Sequence, residues 1–258
     1  MSFRRSSSHD LKSPHFSAIM TKIREQSLRK LSLTSELVAH CHRDVADSGP
    51  DPTQVMLDDV GRVAFVERLL SEKPDGPFWL FAYGSLIWKP EFPTVETRKA
   101  IAHNWHRAFS MRIKRHRGTT EQPGLMMCLD PGGVCEGVVL RLADAGLREQ
   151  LIQLLQREIS RVAALDAIRW IEVETPDGQV RALAFYTKPE MLDGYEANLP
   201  LPEVAAILAR ACGHWGSGAE YLFKTVSNLE AMGVHDENLW TLQELVAQEI
   251  RTLHVPAS

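Results

Sequence analysis

The run Phe78-Trp79-Leu80-Phe81-Ala82-Tyr83 constrains the fold of this chain more than any other segment. Six apolar and aromatic residues in a row are too few for a buried helix. They are the side chains that strands favour, so the run predicts a central β-strand. Gly84-Ser85 then stops it. Further short strands are expected around 100–113, 137–142, 168–174 and 180–187, the last two joined across Pro176-Asp177-Gly178 as a hairpin.

Between the strands the apolar period changes from two to three and four. Leu147, Leu151, Leu154 and Leu155 fall on one stripe, which predicts a helix from Leu147 to Ile159. Mixed apolar and polar positions predict a helix from Leu33 to Asp47. Pro50 and Pro52 break the chain before a second helix from Asp58 to Glu72. The C-terminal third reads as helical, with Pro202 near one helix start and Gly213 and Gly233 where helices should end. Residues 1–30 are rich in Ser and basic residues without a sustained apolar period. They are expected to form a disordered extension, leaving 31–258 as a single domain with an N-terminal helical segment.

A chain of 258 residues with 44% hydrophobic and 24% charged content can bury one substantial core. Its net charge of −4 argues against broad capture of nucleic acid, which needs clustered Lys and Arg, and suits a small-molecule substrate better. No apolar run is long enough for a membrane span and the first residues lack a secretory signal core, so a cytoplasmic location is expected. The four cysteines, Cys41, Cys128, Cys135 and Cys212, are scattered without a CxxC pair and read as reduced, mostly buried thiols. Neither His40-Cys41-His42 nor His103 with His106 has the spacing of a zinc site. Glycine-rich nucleotide motifs are also missing, so neither a metal nor a cofactor is expected.

Glu158 is the most informative single residue. It stands four residues after Leu154 and seven after Leu151, on the stripe that should face the core. Burial disfavours a charged carboxylate and raises its pKa, which suits a proton shuttle near neutral pH. The alternative is an ion pair with Arg157 or Arg161, or a helix-end carboxylate that reaches water. Tyr83-Gly84-Ser85-Leu86 is a strand running into a glycine turn, whose backbone N–H groups can form a nest for a carboxylate. Plain turn geometry explains it equally. His116-Arg117-Gly118 with Pro123-Gly124 reads as a basic loop, either solvated or facing an anionic group.

Taken together, Phe81 to Pro90, the Arg117-Gly118-Thr119 loop with Pro123-Gly124, and Arg157-Glu158 resemble the ChaC-type γ-glutamylcyclotransferases. The similarity continues in Gly216-Ser217-Gly218-Ala219-Glu220-Tyr221-Leu222, in Gly233-Val234-His235-Asp236, and back to Leu33-Thr34-Ser35-Glu36-Leu37-Val38. The chain departs from the family pattern after Arg157-Glu158, where members carry a tyrosine, and at Leu125, where many have arginine.

The resemblance implies an α+β fold, a γ-glutamylcyclotransferase-like small mixed β-barrel surrounded by helices. It also implies a cofactor-free lyase reaction converting glutathione to 5-oxoproline and Cys-Gly. It assigns substrate binding to Tyr83, Gly84, Ser85 and Leu86, with Tyr221 lining the site, and the acid/base role to Glu158. Two other functions stay open: a cyclotransferase for other γ-glutamyl amines, and a non-catalytic regulator of cation transport.

Overall fold

A computed structural model describes residues 29–186 and 194–254. The chain divides after Leu31, and of the first unit only residues 29–31 are described, so residues 1–28 of the expected N-terminal extension lie outside the described residues.

The second unit is built on a closed five-stranded barrel: β1 (Trp79–Ala82), β2 (Thr94–Ile113), β3 (Gly124–Leu142), β4 (Ile168–Thr175) and β5 (Gly178–Phe185). The order around the barrel is β1-β3-β2-β4-β5, and a parallel pairing of Leu80 with Leu183 closes it. All four residues of β1 are buried, which explains its unbroken apolar character. Phe81, Leu129, Val139, Val173, Ala182 and Ala184 fill the barrel interior. This agrees with the mixed barrel that the resemblance implies.

Strands β2 and β3 are longer than expected. They form one antiparallel ladder that runs through Pro131-Gly132-Gly133, a segment that would end a shorter strand. Gly132 and Gly133 take φ of 96° and 73°, and the register shifts between His103 and Trp105, so the ladder absorbs these residues as a bulge.

The helices are α1 (Ser35–Ala39), α2 (Asp59–Ser71), α3 (Leu147–Glu158), α4 (Leu201–Arg210), α5 (Gly218–Ala231) and α6 (Glu237–His254). Helix α1 is much shorter than expected, and residues 43–51 are irregular. That stretch is held by tertiary contacts: Asp47 takes two hydrogen bonds of 2.7 Å from the Arg115 guanidinium. Helix α2 starts where expected because the Asp58 side chain accepts from Gly61 N–H at 2.7 Å. In α3 the expected stripe is buried, with Leu151, Leu154 and Leu155 at most 1% exposed. Among the described residues no helix is long and apolar enough to cross a membrane.

Candidate functional site

Three elements converge on the end of β1. The chain leaves that strand at Tyr83 and turns at Gly84. It then enters a single 3-10 turn, Ser85–Ile87, closed by Ile87 N–H donating to Gly84 O at 3.0 Å. The Ser85 N–H donates to the Tyr221 hydroxyl on α5 at 3.2 Å. A Cβ at Gly84 would lie 2.6 Å from that hydroxyl, so the close approach of turn and phenol requires glycine. The Tyr221 ring is fixed edge-on by Trp88 and Phe109, with centroids 5.9 and 6.0 Å away.

The third element is the C-terminal end of α3. Glu158 is its last residue, and about a fifth of its side chain (22%) reaches solvent. Arg157 Nε lies 2.9 Å from Glu158 Oε1, while its Nη2 donates to Ser85 Oγ at 3.2 Å. One guanidinium thus spans the carboxylate and the glycine turn. It also donates to the Lys89 carbonyl and lies 3.4 Å from Glu91.

The surroundings push the Glu158 carboxyl above the ordinary range. Burial is the main cause and the nearby Glu91 adds to it, against the opposing pull of Arg157. A helix C-terminus also disfavours a negative charge. The same environment keeps Tyr221 protonated: burial first, then the Glu158 charge, raise its phenol to about 12. Burial likewise raises Tyr83, whose ring packs beside Phe81 against the barrel core.

Glu158, Gly84, Ser85 and Tyr221 are therefore brought together. Leu86 is buried in the 3-10 turn, and Tyr83 stands between the turn and the barrel interior. The ion-pair alternative for Glu158 is also present, in Arg157. Arg161 is instead bridged to Met56.

The basic loop is neither open nor ligand-facing at its central residue. Arg117 is buried, with Nη1 donating to Ser217 O at 2.8 Å and to Glu220 at 2.9 Å, and its guanidinium lies over the Tyr221 ring. Arg117 therefore supports the tyrosine.

Two contributors escaped the sequence reading. The sequence marks Arg157 as an ion-pair partner of Glu158 and part of its motif, but not as the link to Ser85 that it carries. Arg107, whose side chain is 1% exposed, donates to the Tyr83 carbonyl at 3.0 Å and pairs with Asp236 at 2.9 Å, so it holds the turn from below. A lone arginine in a long strand has no signature, though Asp236 lies in one of the quoted motifs. A depression of about 470 Å³ opens beside this cluster, with Glu91, Phe92, Gln153 and Arg157 in its lining. Among the described residues no group of His, Cys, Asp and Glu is arranged to hold a metal ion.

The family model described as ChaC-like protein matches residues 78–249. The Escherichia coli (strain K12) glutathione-specific gamma-glutamylcyclotransferase is 36% identical over 180 residues, covering 69% of this chain and 77% of the relative. The Homo sapiens glutathione-specific gamma-glutamylcyclotransferase 1 is 28% identical over 177 residues, covering 65% of this chain and 78% of the relative. A crystal structure of a yeast gamma-glutamyl cyclotransferase specific to glutathione superposes with a TM-score of 0.60 at 21% identity. The match covers 70% of this chain and all of that one, a likeness of fold.

Proposed function

Because the chain belongs to the ChaC-like family, we propose that it is a γ-glutamylcyclotransferase that converts glutathione to 5-oxoproline and Cys-Gly. One observation carries the reading. A carboxylate with a raised pKa, Glu158, is joined through the Arg157 guanidinium to a glycine turn at the end of a buried strand. The first is a proton shuttle, the second a place to hold the γ-glutamyl group. The relatives named for glutathione support the choice of substrate.

The reaction needs little beyond these groups. The α-amine of the γ-glutamyl residue is mainly an ammonium ion and cannot attack until it loses a proton, which Glu158 accepts. The freed amine attacks its own γ-carbonyl carbon, and a five-membered ring closes as the C–N bond forms. The amide bond to cysteine then breaks as the proton held by Glu158 passes to the departing nitrogen, and the ring nitrogen gives up its second proton to leave the lactam N–H, that proton ending on the released cysteine amine. Because the nucleophile is tethered to its electrophile, holding the chain in a near-attack shape removes much of the barrier. We assign that holding to Tyr83, Gly84, Ser85 and Leu86.

Tyr221 remains a phenol at neutral pH and already accepts from Ser85 N–H, so its own O–H is free in charge and position to donate to a substrate oxygen. Arg157 holds the Glu158 carboxylate on the turn side. We place the reaction in the cytoplasm, with no cofactor.

The test is incubation of the purified protein with glutathione beside Glu158→Gln, following 5-oxoproline and Cys-Gly by mass spectrometry. The expected result is product from wild type and a loss of about 10²- to 10⁴-fold in kcat for the variant, which keeps the shape but not the shuttle. Near-wild-type turnover by Glu158→Gln would remove the acid/base assignment. No product from folded wild type would move the substrate to another γ-glutamyl amine, read with a substrate panel.

A further inference from the structure

The end of α3 is not held by the barrel alone. Directly after Glu158 the chain is paired with a short stretch that precedes α2. Leu57 N–H donates to Ser160 O at 2.9 Å, Val162 N–H donates to Val55 O at 3.0 Å, and Met56 bridges antiparallel to Arg161. Leu57 and Ile159 are both buried. The stretch 55–57 thus adds a two-sided backbone clamp to residues 160–162, two residues beyond the carboxylate.

A buried cation that the reaction does not use secures this clamp. Arg62 on α2 is 8% exposed, and its Nη2 donates to the Leu57 carbonyl at 3.0 Å while Nη1 pairs with Asp59. Helix α2 itself packs on α3, and Glu67 ties to Arg148 at 2.6 Å. Burying a guanidinium is costly, and an apolar side chain of similar size often replaces such a group with no loss of stability. An apolar residue at this position would keep the packing of the Arg62 stem. What Arg62 itself supplies is a direction: it fixes the carbonyl of the residue whose N–H holds Ser160.

We propose that Arg62 and Leu57 are positioning residues for Glu158, setting the depth of the carboxylate through the 55–57 clamp on 160–162. Both precede the segment that the family model matches. The inference rests on the assignment of Glu158 as the acid/base. Displacements of about 1 Å at a reacting group can cost on the order of 10²-fold in rate, so a clamp two residues away bears directly on turnover. The glycine turn keeps two anchors outside α3, Tyr221 and Arg107, beside its link to Arg157, so loss of the clamp should change substrate affinity much less than turnover.

The charged and titratable groups around Glu158 are Arg157 on its own helix, Glu91 after β1, Tyr83 at the end of β1 and Tyr221 on α5. Arg161 and Arg62, the charged residues of the clamp, are not among the groups that shift it. A clamp variant should therefore alter the titration of Glu158 chiefly through its position and its access to water.

The experiment compares wild type, Arg62→Met and the conservative Arg62→Lys in the full chain. It reads kcat and KM for glutathione, and the titration of the Glu158 carboxyl by NMR in the protein without substrate. Arg62→Met should lower kcat about tenfold or more with KM within about twofold, and should move the Glu158 titration down toward the ordinary carboxylate range. Arg62→Lys, which can still donate to the Leu57 carbonyl, should restore part of both. If Arg62→Met does not fold, Arg62→Lys carries the same comparison, with smaller changes of the same sign.

An unchanged Glu158 titration, or kcat and KM shifting by the same factor, would overturn the proposal. Failure of the glutathione assignment is distinguishable, since it would appear as no turnover by wild type while the Glu158 titration still responds to Arg62.

Discussion

At the scale of single residues, the balance at Glu158 has a consequence for stability as well as for chemistry. Burial and Glu91 oppose its charge more than Arg157 favours it, so folding shifts the carboxyl toward its protonated form relative to the unfolded chain. For such a group the stabilising contribution is full below the unfolded-state pKa and is lost as pH rises through the folded one. Glu158→Gln mimics the neutral form at every pH. The variant is expected to melt at a higher temperature than wild type at neutral pH, with the gap closing as pH falls toward about 4. Thermal unfolding across that range checks it. A variant less stable than wild type at neutral pH would mean that the Arg157 pair outweighs burial. A carboxylate that weakens its own fold is a common mark of a reactive site.

At the scale of elements, the site is held by contacts between β2, the turn after β1 and the start of α6. Asp236 serves two of them at once: Oδ1 accepts from Leu239 N–H at 3.0 Å as a helix cap, and Oδ2 lies 2.9 Å from Arg107 Nε. Asp236→Asn keeps an oxygen for the cap but leaves the Arg107 guanidinium buried without an opposite charge. Removing one partner of such a pair costs about 3–5 kcal/mol. Denaturant unfolding should register that loss. A rise in KM for glutathione should accompany it, because Arg107 also holds the Tyr83 carbonyl beneath the substrate turn. Unchanged KM in the folded variant would mean that Tyr221 and Arg157 fix the turn without Arg107. The same scale explains why Arg117 acts within the fold: its cation is paired with Glu220 and donates to the Ser217 carbonyl.

At the scale of the whole molecule, stability rests on a closed barrel with helices packed around it, without need of covalent staples. All four cysteines are buried, and burial raises the thiols of Cys41 and Cys135 to about 11, which leaves little thiolate at neutral pH. The melting temperature should be the same with and without reductant, and thiol labelling should follow unfolding. A melting temperature lowered by reductant would reveal a disulfide instead.

What could be read from the chain by itself was whatever depends on neighbours in sequence. The Leu147, Leu151, Leu154, Leu155 stripe, the β4–β5 hairpin and the stop at Gly84-Ser85 are set by residues a few places apart. So is the presence of a carboxylate on an apolar stripe, which made Glu158 visible. The lengths of β2 and β3 were hidden, because Pro131-Gly132-Gly133 ends a strand locally and only a long partner ladder can carry it as a bulge. The short α1 was hidden too, since Arg115 holds the following segment away from helical form. The Arg107–Asp236 pair and the 55–57 clamp were decided only by tertiary structure. Backbone hydrogen bonds between remote segments, and a guanidinium that must find its carboxylate across the fold, depend on distances that no local pattern encodes.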